Sequence, residues 1–233
     1  MSSDVEYGTS LFHDCEKYKM YKFANRDEWL NGRQKLKGIG GSAAASVLGI
    51  SPWKSNVELW REKTGRSIPP DISENPAVYY GTYAEEHIRR LYQLKRIDTV
   101  EVQYQADTIL KSNKYACMLY SPDGLLIEKS TGRRGILEIK TTAIHGKSAS
   151  EKWNDQIPDY YYTQVIHGLN VTGFEFVDLI AELRYSDDYS QLRTYHIDRD
   201  DVIDDMKYEL NCVTEFWKHV ELDTEPAMIM PRI

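Results

Sequence analysis

Apolar residues recur at two different spacings along this chain, and the change of spacing near residue 98 divides it. Residues 76–97, with Val78, Ile88, Leu91 and Tyr92 among their apolar positions, carry the longest helical pattern of the first half. Before it, Asp27-Glu28-Trp29-Leu30 starts a short helix. Residues 38–41 (Gly-Ile-Gly-Gly) predict a flexible turn that hands Ser42, as N-cap, to a small-residue helix over 43–48. Val57, Leu59 and Trp60 predict a further helix over 55–64 with Gly65 as its stop, and Pro69-Pro70 marks a loop.

Beyond residue 98 the texture is β-like. Residues 99–110 alternate, and 115–120, 125–127 and 135–141 are short apolar runs that read as strands of one sheet. A helix over 158–171, strands near 174–183 and 191–197, and a long amphipathic helix over 200–220 complete the pattern. Residues 1–25 carry no clear period and read as a Tyr-rich lead-in, leaving 26–233 as a single α/β domain.

Composition narrows the class. Hydrophobic residues make up 41% and charged residues 28% of 233 positions, the balance of a folded soluble domain, and no apolar run is long enough for a bilayer-spanning helix. The opening residues lack the basic start and apolar middle of a secretory signal, so a cytoplasmic location is the expectation. Cys15, Cys117 and Cys212 are too few and too scattered for a disulfide framework or an iron-sulfur cluster, and the six histidines never stand four apart on a helical face. Any metal is therefore expected on oxygen ligands. A net charge of −7 argues against a protein that coats nucleic acid nonspecifically, while clusters such as Arg33 to Lys37, Arg89-Arg90 and Arg133-Arg134 remain available to line a channel.

The candidate chemistry lies in Ser121-Pro122-Asp123-Gly124 and, past a hairpin loop, Leu137-Glu138-Ile139-Lys140. Two strands joined by that loop bring Asp123, at the start of one, to Glu138, near the end of its partner. Residues two apart on a strand share a face, so Glu138 and Lys140 point together while Ile139 points into the opposite apolar layer. Adjacent carboxylates repel unless a cation lies between them, and hard oxygen ligands suit Mg²⁺ or Mn²⁺. The backbone carbonyl of Ile139 offers a further ligand. Lys140 is placed to orient or deprotonate a water for attack on a phosphodiester. Glu-x-Lys on a surface strand and Ser-Pro-Asp-Gly in a turn are each ordinary alone; a Glu and a Lys inside an apolar strand are costly without a purpose.

These residues, with Trp29-Leu30-Asn31-Gly32-Arg33, Gly38-Ile39-Gly40-Gly41-Ser42, residues 48–55, Glu58-Leu59-Trp60, Lys63-Thr64-Gly65, Gly81-Thr82-Tyr83-Ala84-Glu85 and Tyr161-Tyr162-Thr163-Gln164, make the chain resemble a known family. It is similar to the lambda-exonuclease-like, YqaJ-type viral recombinase nucleases of the PD-(D/E)xK superfamily. The resemblance implies a restriction-endonuclease-like α/β core, a mixed central sheet flanked by helices. It implies that Glu85 joins Asp123 and Glu138 on the metal, that Gln164 is an active-site glutamine, and that Arg33 and Ser42 bind a 5′ phosphate, with Lys35 and Lys37 as alternatives to Arg33. It further implies processive 5′-to-3′ digestion of duplex DNA, a ring-shaped homotrimer and a single-strand annealing partner in phage-type recombination. The rivals are an endonuclease or single-strand nuclease with the same centre, and an inactive DNA-end-binding protein. Glu86 is expected to face solvent, His167 to be packed, and Trp53, Trp60 and the tyrosines to serve packing more than base stacking.

Overall fold

The structure is a computed structural model that describes residues 10–229. Strand β1 (Tyr18–Lys22) and helix α1 (Arg26–Lys35) come first, followed by the two-residue strand β2 (Ile39–Gly40) and α2 (Gly41–Val47). Helices α3 (Asn56–Lys63) and α4 (Pro76–Lys95) precede a run of strands: β3 (Val100–Gln103), β4 (Thr108–Ser112), β5 (Met118–Tyr120), β6 (Gly124–Glu128) and β7 (Arg134–Ala143). A short α5 (Lys147–Glu151) and α6 (Asp159–Thr172) lead to β8 (Phe176–Ser186) and β9 (Tyr189–Asp198), and a 3₁₀ turn (Arg199–Val202) enters α7 (Ile203–Glu221).

Local chemistry accounts for most of these boundaries. Asn25 caps α1 by accepting from the Glu28 amide, Ser55 and Glu58 form a reciprocal capping box on α3, and Pro76 sits in the first turn of α4 behind its cap Asn75. Gly65 and Gly173 take positive φ beyond the ends of α3 and α6, a conformation that a side chain would strain.

Three expectations are corrected. The region before Asp27 is not without regular structure, because β1 pairs antiparallel with β4 from Tyr18↔Ser112 to Lys22↔Thr108; residues 1–9 lie outside the described residues. The strands form two sheets, not one: a four-stranded sheet in the order β1-β4-β5-β2 and a five-stranded sheet in the order β3-β6-β7-β8-β9. The alternating stretch 99–110 splits between them at a turn where Asp107 takes positive φ. Ser42 is not the N-cap of α2; pairing of Ile39 and Gly40 with β5 carries extended backbone up to Gly40, so the helix starts at Gly41 and Ser42 lies in its first turn.

The five-stranded sheet is mixed, with only β7 and β8 parallel. On one face Leu137 and Ile139 of β7 pack with Ile88 and Tyr92 of α4. On the other, Ile136 and the β8 residues Val177, Leu179 and Ala181 pack with α6, α7 and the inner face of the smaller sheet, through Leu169, Val213, Phe216 and Tyr120. This is the mixed sheet flanked by helices that the PD-(D/E)xK pattern implies. Strand β7 is thus covered on both faces, and any polar group on it must find partners inside the protein.

Candidate active site

Gly124 of β6 faces Leu137 of β7, so Asp123 and Glu138 lie one step further along the same antiparallel pair. Glu138 is fully buried on the α6 side of β7. Its Oε1 accepts from Lys140 Nζ at 2.6 Å and from the Gln164 amide on α6, and its Oε2 accepts from the Tyr120 hydroxyl at 2.5 Å. Asp123 Oδ2 accepts from the Ile139 amide at 2.7 Å. Helix α4 closes the other flank: Arg89 donates through Nε to the Asp123 carbonyl at 2.9 Å and through Nη2 to Glu85 Oε1 at 2.7 Å. The structure therefore brings Asp123, Glu138, Lys140, Ile139 and Gln164 together, with Glu85 held beside them by Arg89. Glu86, the next residue, is exposed and paired with Arg90.

The electrostatics show what is frustrated. Burial pushes Asp123 well above the usual carboxylate range, and the charges of Glu138 and Glu85 push it further. Burial acts to lower Lys140, but Glu138 and Asp123 outweigh it and hold the ammonium above its ordinary value. Tyr120 is raised by burial and then by Glu138, so it serves as a neutral donor. Among the described residues no three Asp, Glu, His or Cys side chains close around one point, since Glu138 is turned to Tyr120, Lys140 and Gln164, and Glu85 to Arg89. The donor set nonetheless fits a hard divalent cation: after burial, the charges of Glu138 on β7 and Glu85 on α4 both raise Asp123, and a cation would offset that repulsion.

A second cluster forms where α1 meets α2. Arg33 Nη2 donates to Ser42 Oγ at 3.2 Å, and the Arg33 guanidinium lies 5.4 Å from the ring of buried Trp29. Any side chain at Gly40 would stand 3.2 Å from Arg33 Nη2, so the glycine leaves room for the guanidinium. Lys35 and Lys37 are exposed, whereas Arg33 is partly buried and its pKa is lowered by burial and by Arg26. Lys63, near the end of α3, is pushed down to about 8, first by burial and then by the Arg33 charge. The Arg33 charge is felt at Lys63 and both side chains are partly buried, a charge character that suits an anion.

The YqaJ-like viral recombinase domain matches residues 28–175. The chain belongs to that family. Within it, YqaJ of Bacillus subtilis (strain 168) is 32% identical over 194 residues, which is 83% of this chain and 56% of that protein. Protein R354 of Acanthamoeba polyphaga mimivirus is 26% identical over 162 residues, 66% of this chain and 28% of the relative. The chain thus spans little more than half the length of the one and about a quarter of the other. The alkaline exonuclease LHK-Exo of Laribacter hongkongensis shares the fold, with a TM-score of 0.62 and 23% identity, covering 85% of this chain and 94% of that one. Its structure in complex with dAMP matches equally, with a TM-score of 0.62 and 21% identity over 84% of this chain and 95% of that one.

Three residues of this family member escape a reading of the sequence alone. Tyr120 lies in the apolar run Met-Leu-Tyr, where it reads as core; only the fold turns its hydroxyl to Glu138. Arg89 sits four residues after Glu85, a spacing that does signal an ion pair, but its bond to the Asp123 carbonyl crosses from helix to strand. Lys63 in the last turn of α3 reads as a helix-end charge.

Proposed function

We propose that the chain is a divalent-metal-dependent DNA exonuclease, hydrolysing phosphodiester bonds of linear duplex DNA from an end and in the 5′-to-3′ direction. The observation that carries this reading is the convergence of Asp123, Glu138, Lys140 and Gln164 at the end of the β6–β7 pair in a member of the YqaJ-like family. The shared fold of an alkaline exonuclease that has been seen with dAMP supports it, because a deoxynucleoside monophosphate is what an exonuclease releases.

In this reading Glu85, Asp123, Glu138 and the Ile139 carbonyl hold Mg²⁺, with Mn²⁺ able to substitute. A bound Mg²⁺ supplies Lewis acidity toward the scissile phosphate. Lys140 and the Gln164 amide, both already donors to Glu138, orient water and a phosphate oxygen. Water attacks phosphorus and releases a proton to solvent, the bond to the 3′ oxygen breaks, and that oxygen takes up a proton from solvent. Lys140 is an ammonium here, which suits charge stabilisation better than proton abstraction. Arg33 and Ser42 receive the 5′ phosphate of the end, in preference to Lys35 or Lys37. The reading extends to a ring-shaped homotrimer, a single-strand annealing partner in phage-type recombination, and action in the host cytoplasm. Among the described residues no helix is long and apolar enough to cross a membrane.

The test is digestion of linear duplex DNA carrying a 5′ phosphate or a 5′ hydroxyl on a labelled strand, in Mg²⁺ or EDTA, with closed circles as control. Mg²⁺-dependent loss from phosphorylated ends with circles spared is the expected result. Nicked circles would favour an endonuclease with the same centre, and absence of cleavage an end-binding protein. Glu138→Ala abolishes cleavage and preserves DNA binding; wild-type rates in that variant would remove the mechanism.

A further inference from the structure

Trp53 and Trp60 are not alike. Trp60 is buried and donates its indole N–H to the His219 carbonyl at 3.1 Å, as expected of a packing residue. Trp53, in the loop between α2 and α3, is 69% exposed, so the expectation that it serves packing does not hold for it. It is also not isolated. Its ring centroid lies 5.0 Å from Tyr160, which lies 4.4 Å from Tyr161, both on the first turn of α6. Tyr161 is anchored from behind by buried Trp153, 5.7 Å away. Three rings therefore form a contiguous stepped shelf, adjacent planes inclined by 78° and 59°, partly buried at Tyr161 and open to solvent at Trp53.

The inner end of the shelf reaches the candidate centre: Lys140 Nζ stands 5.2 Å from the Tyr161 ring while bonded to Glu138. A phosphodiester bound at Lys140 carries a nucleobase on each flanking sugar, and the ring adjoining that point, the partly exposed Tyr161, leads through Tyr160 to the exposed Trp53. Scattered exposed apolar residues need no explanation, but a contiguous aromatic surface beside a charged centre does. Aromatic rings take up unpaired bases through a face that every base possesses, so the recognition is indifferent to sequence, as end digestion requires.

We propose that the Trp53–Tyr160–Tyr161 shelf stacks an unpaired nucleobase next to the scissile phosphodiester and thereby seats the strand for cleavage. This inference rests on the nuclease reading for its substrate. The shelf positions the strand; Lys140 and Gln164 act on the phosphate.

The experiment is a protein–DNA double-mutant cycle. Wild type and Trp53→Ala are compared on a DNA end with intact nucleotides and on one whose nucleotides flanking the scissile bond are abasic. Loss of one stacked base is expected to cost on the order of tenfold in kcat/KM. Wild type should lose that factor on the abasic end, Trp53→Ala should lose it on the intact end, and the two together should lose no more. Trp53→Phe, which keeps a ring, should stay within about threefold of wild type. Multiplied losses, or a Trp53→Ala rate equal to wild type on the intact end, would overturn the shelf. The same cycle is read as binding affinity in EDTA by fluorescence anisotropy. If wild type cuts no DNA yet the binding coupling persists, the nuclease reading fails and the shelf stands; if cleavage is normal and the coupling is absent, only the shelf fails.

Discussion

Tyr120 donates its hydroxyl to Glu138 Oε2 at 2.5 Å, and both residues are buried. The same ring lies against Gly41 and Gly168, where an added Cβ would meet it at 3.3 and 2.9 Å. One tyrosine thus touches the start of α2, the middle of α6 and the carboxylate on β7. Tyr120→Phe keeps the packing and removes the only donor that the structure gives to Oε2. The expected loss of stability is about 1–3 kcal/mol, the cost of leaving a buried acceptor unpaired. A cation held by Glu138 would take up the oxygen that the variant leaves unpaired, so the gap in Tm between variant and wild type should narrow with added Mg²⁺. A gap indifferent to Mg²⁺ would separate Glu138 from the metal site.

His167, one turn after Gln164, is fully buried, as its plain reading expects. Its Nε2 lies 3.1 Å from the Ile39 carbonyl and 3.0 Å from the Leu119 carbonyl, so this nitrogen carries a proton and donates. Its Nδ1 lies 2.7 Å from Glu209 Oε1, and Glu209 Oε2 accepts from Asn170. A single imidazole therefore ties β2 and β5 to α6 and α7. His167→Ala leaves a buried carboxyl group and two carbonyls short of a hydrogen-bond partner, and should cost upward of about 2 kcal/mol in urea unfolding. A loss under about 1 kcal/mol would mean that water replaces the ring at no great cost.

The β6–β7 pair that carries the candidate site was legible because its signals are local: a turn, an i, i+2 pair on one strand, and a hairpin register. Helices α3 and α4 were legible for the same reason, through the spacing of their apolar residues and, for α3, a glycine stop. What escaped depends on pairing between distant segments. Strand β1 carries no clean alternation and is a strand because β4, some ninety residues later, supplies its partner. Ile39-Gly40 looks like a turn until β5 pairs with it, and that pairing moves the N-cap of α2 from Ser42 to Gly40. Stacking and packing tryptophans cannot be told apart from the sequence either, since Trp53 and Trp60 differ only in what the fold lays over them.

Arg33 and Ser42 make the most direct claim on end chemistry, through a bond of 3.2 Å between a guanidinium and a hydroxyl. Arg33→Ala removes a charged, potentially bidentate donor worth roughly 1.5–3 kcal/mol against phosphate, or about 10- to 100-fold in affinity. The loss should fall on 5′-phosphorylated ends and spare 5′-hydroxyl ends, so the variant should cease to distinguish them in a competition digest. Arg33→Lys should recover only part of the preference, since an ammonium lacks the planar fork. Equal losses on both ends would assign Arg33 to the duplex backbone instead.

Lys63 would give the proposed phosphate cluster a pH dependence. Burial and then Arg33 hold its folded pKa down to about 8, below the ordinary lysine value. The sign follows from linkage: below pH 8 the folded and unfolded chains are both protonated and the cost of the buried charge is fully present. As pH rises through about 8 the folded chain loses the proton first, so the free protein gains stability toward the ordinary lysine pKa. A bound 5′ phosphate acts in the opposite direction, because it stabilises the ammonium and raises that pKa. Binding a phosphorylated end at pH 8.5 should therefore take up protons, seen as a calorimetric heat that changes with the ionisation enthalpy of the buffer, and affinity should weaken as pH climbs above about 8. Lys63→Met should bind more weakly at pH 7 and lose both effects, while a variant that retains the proton uptake would place Lys63 outside the phosphate site.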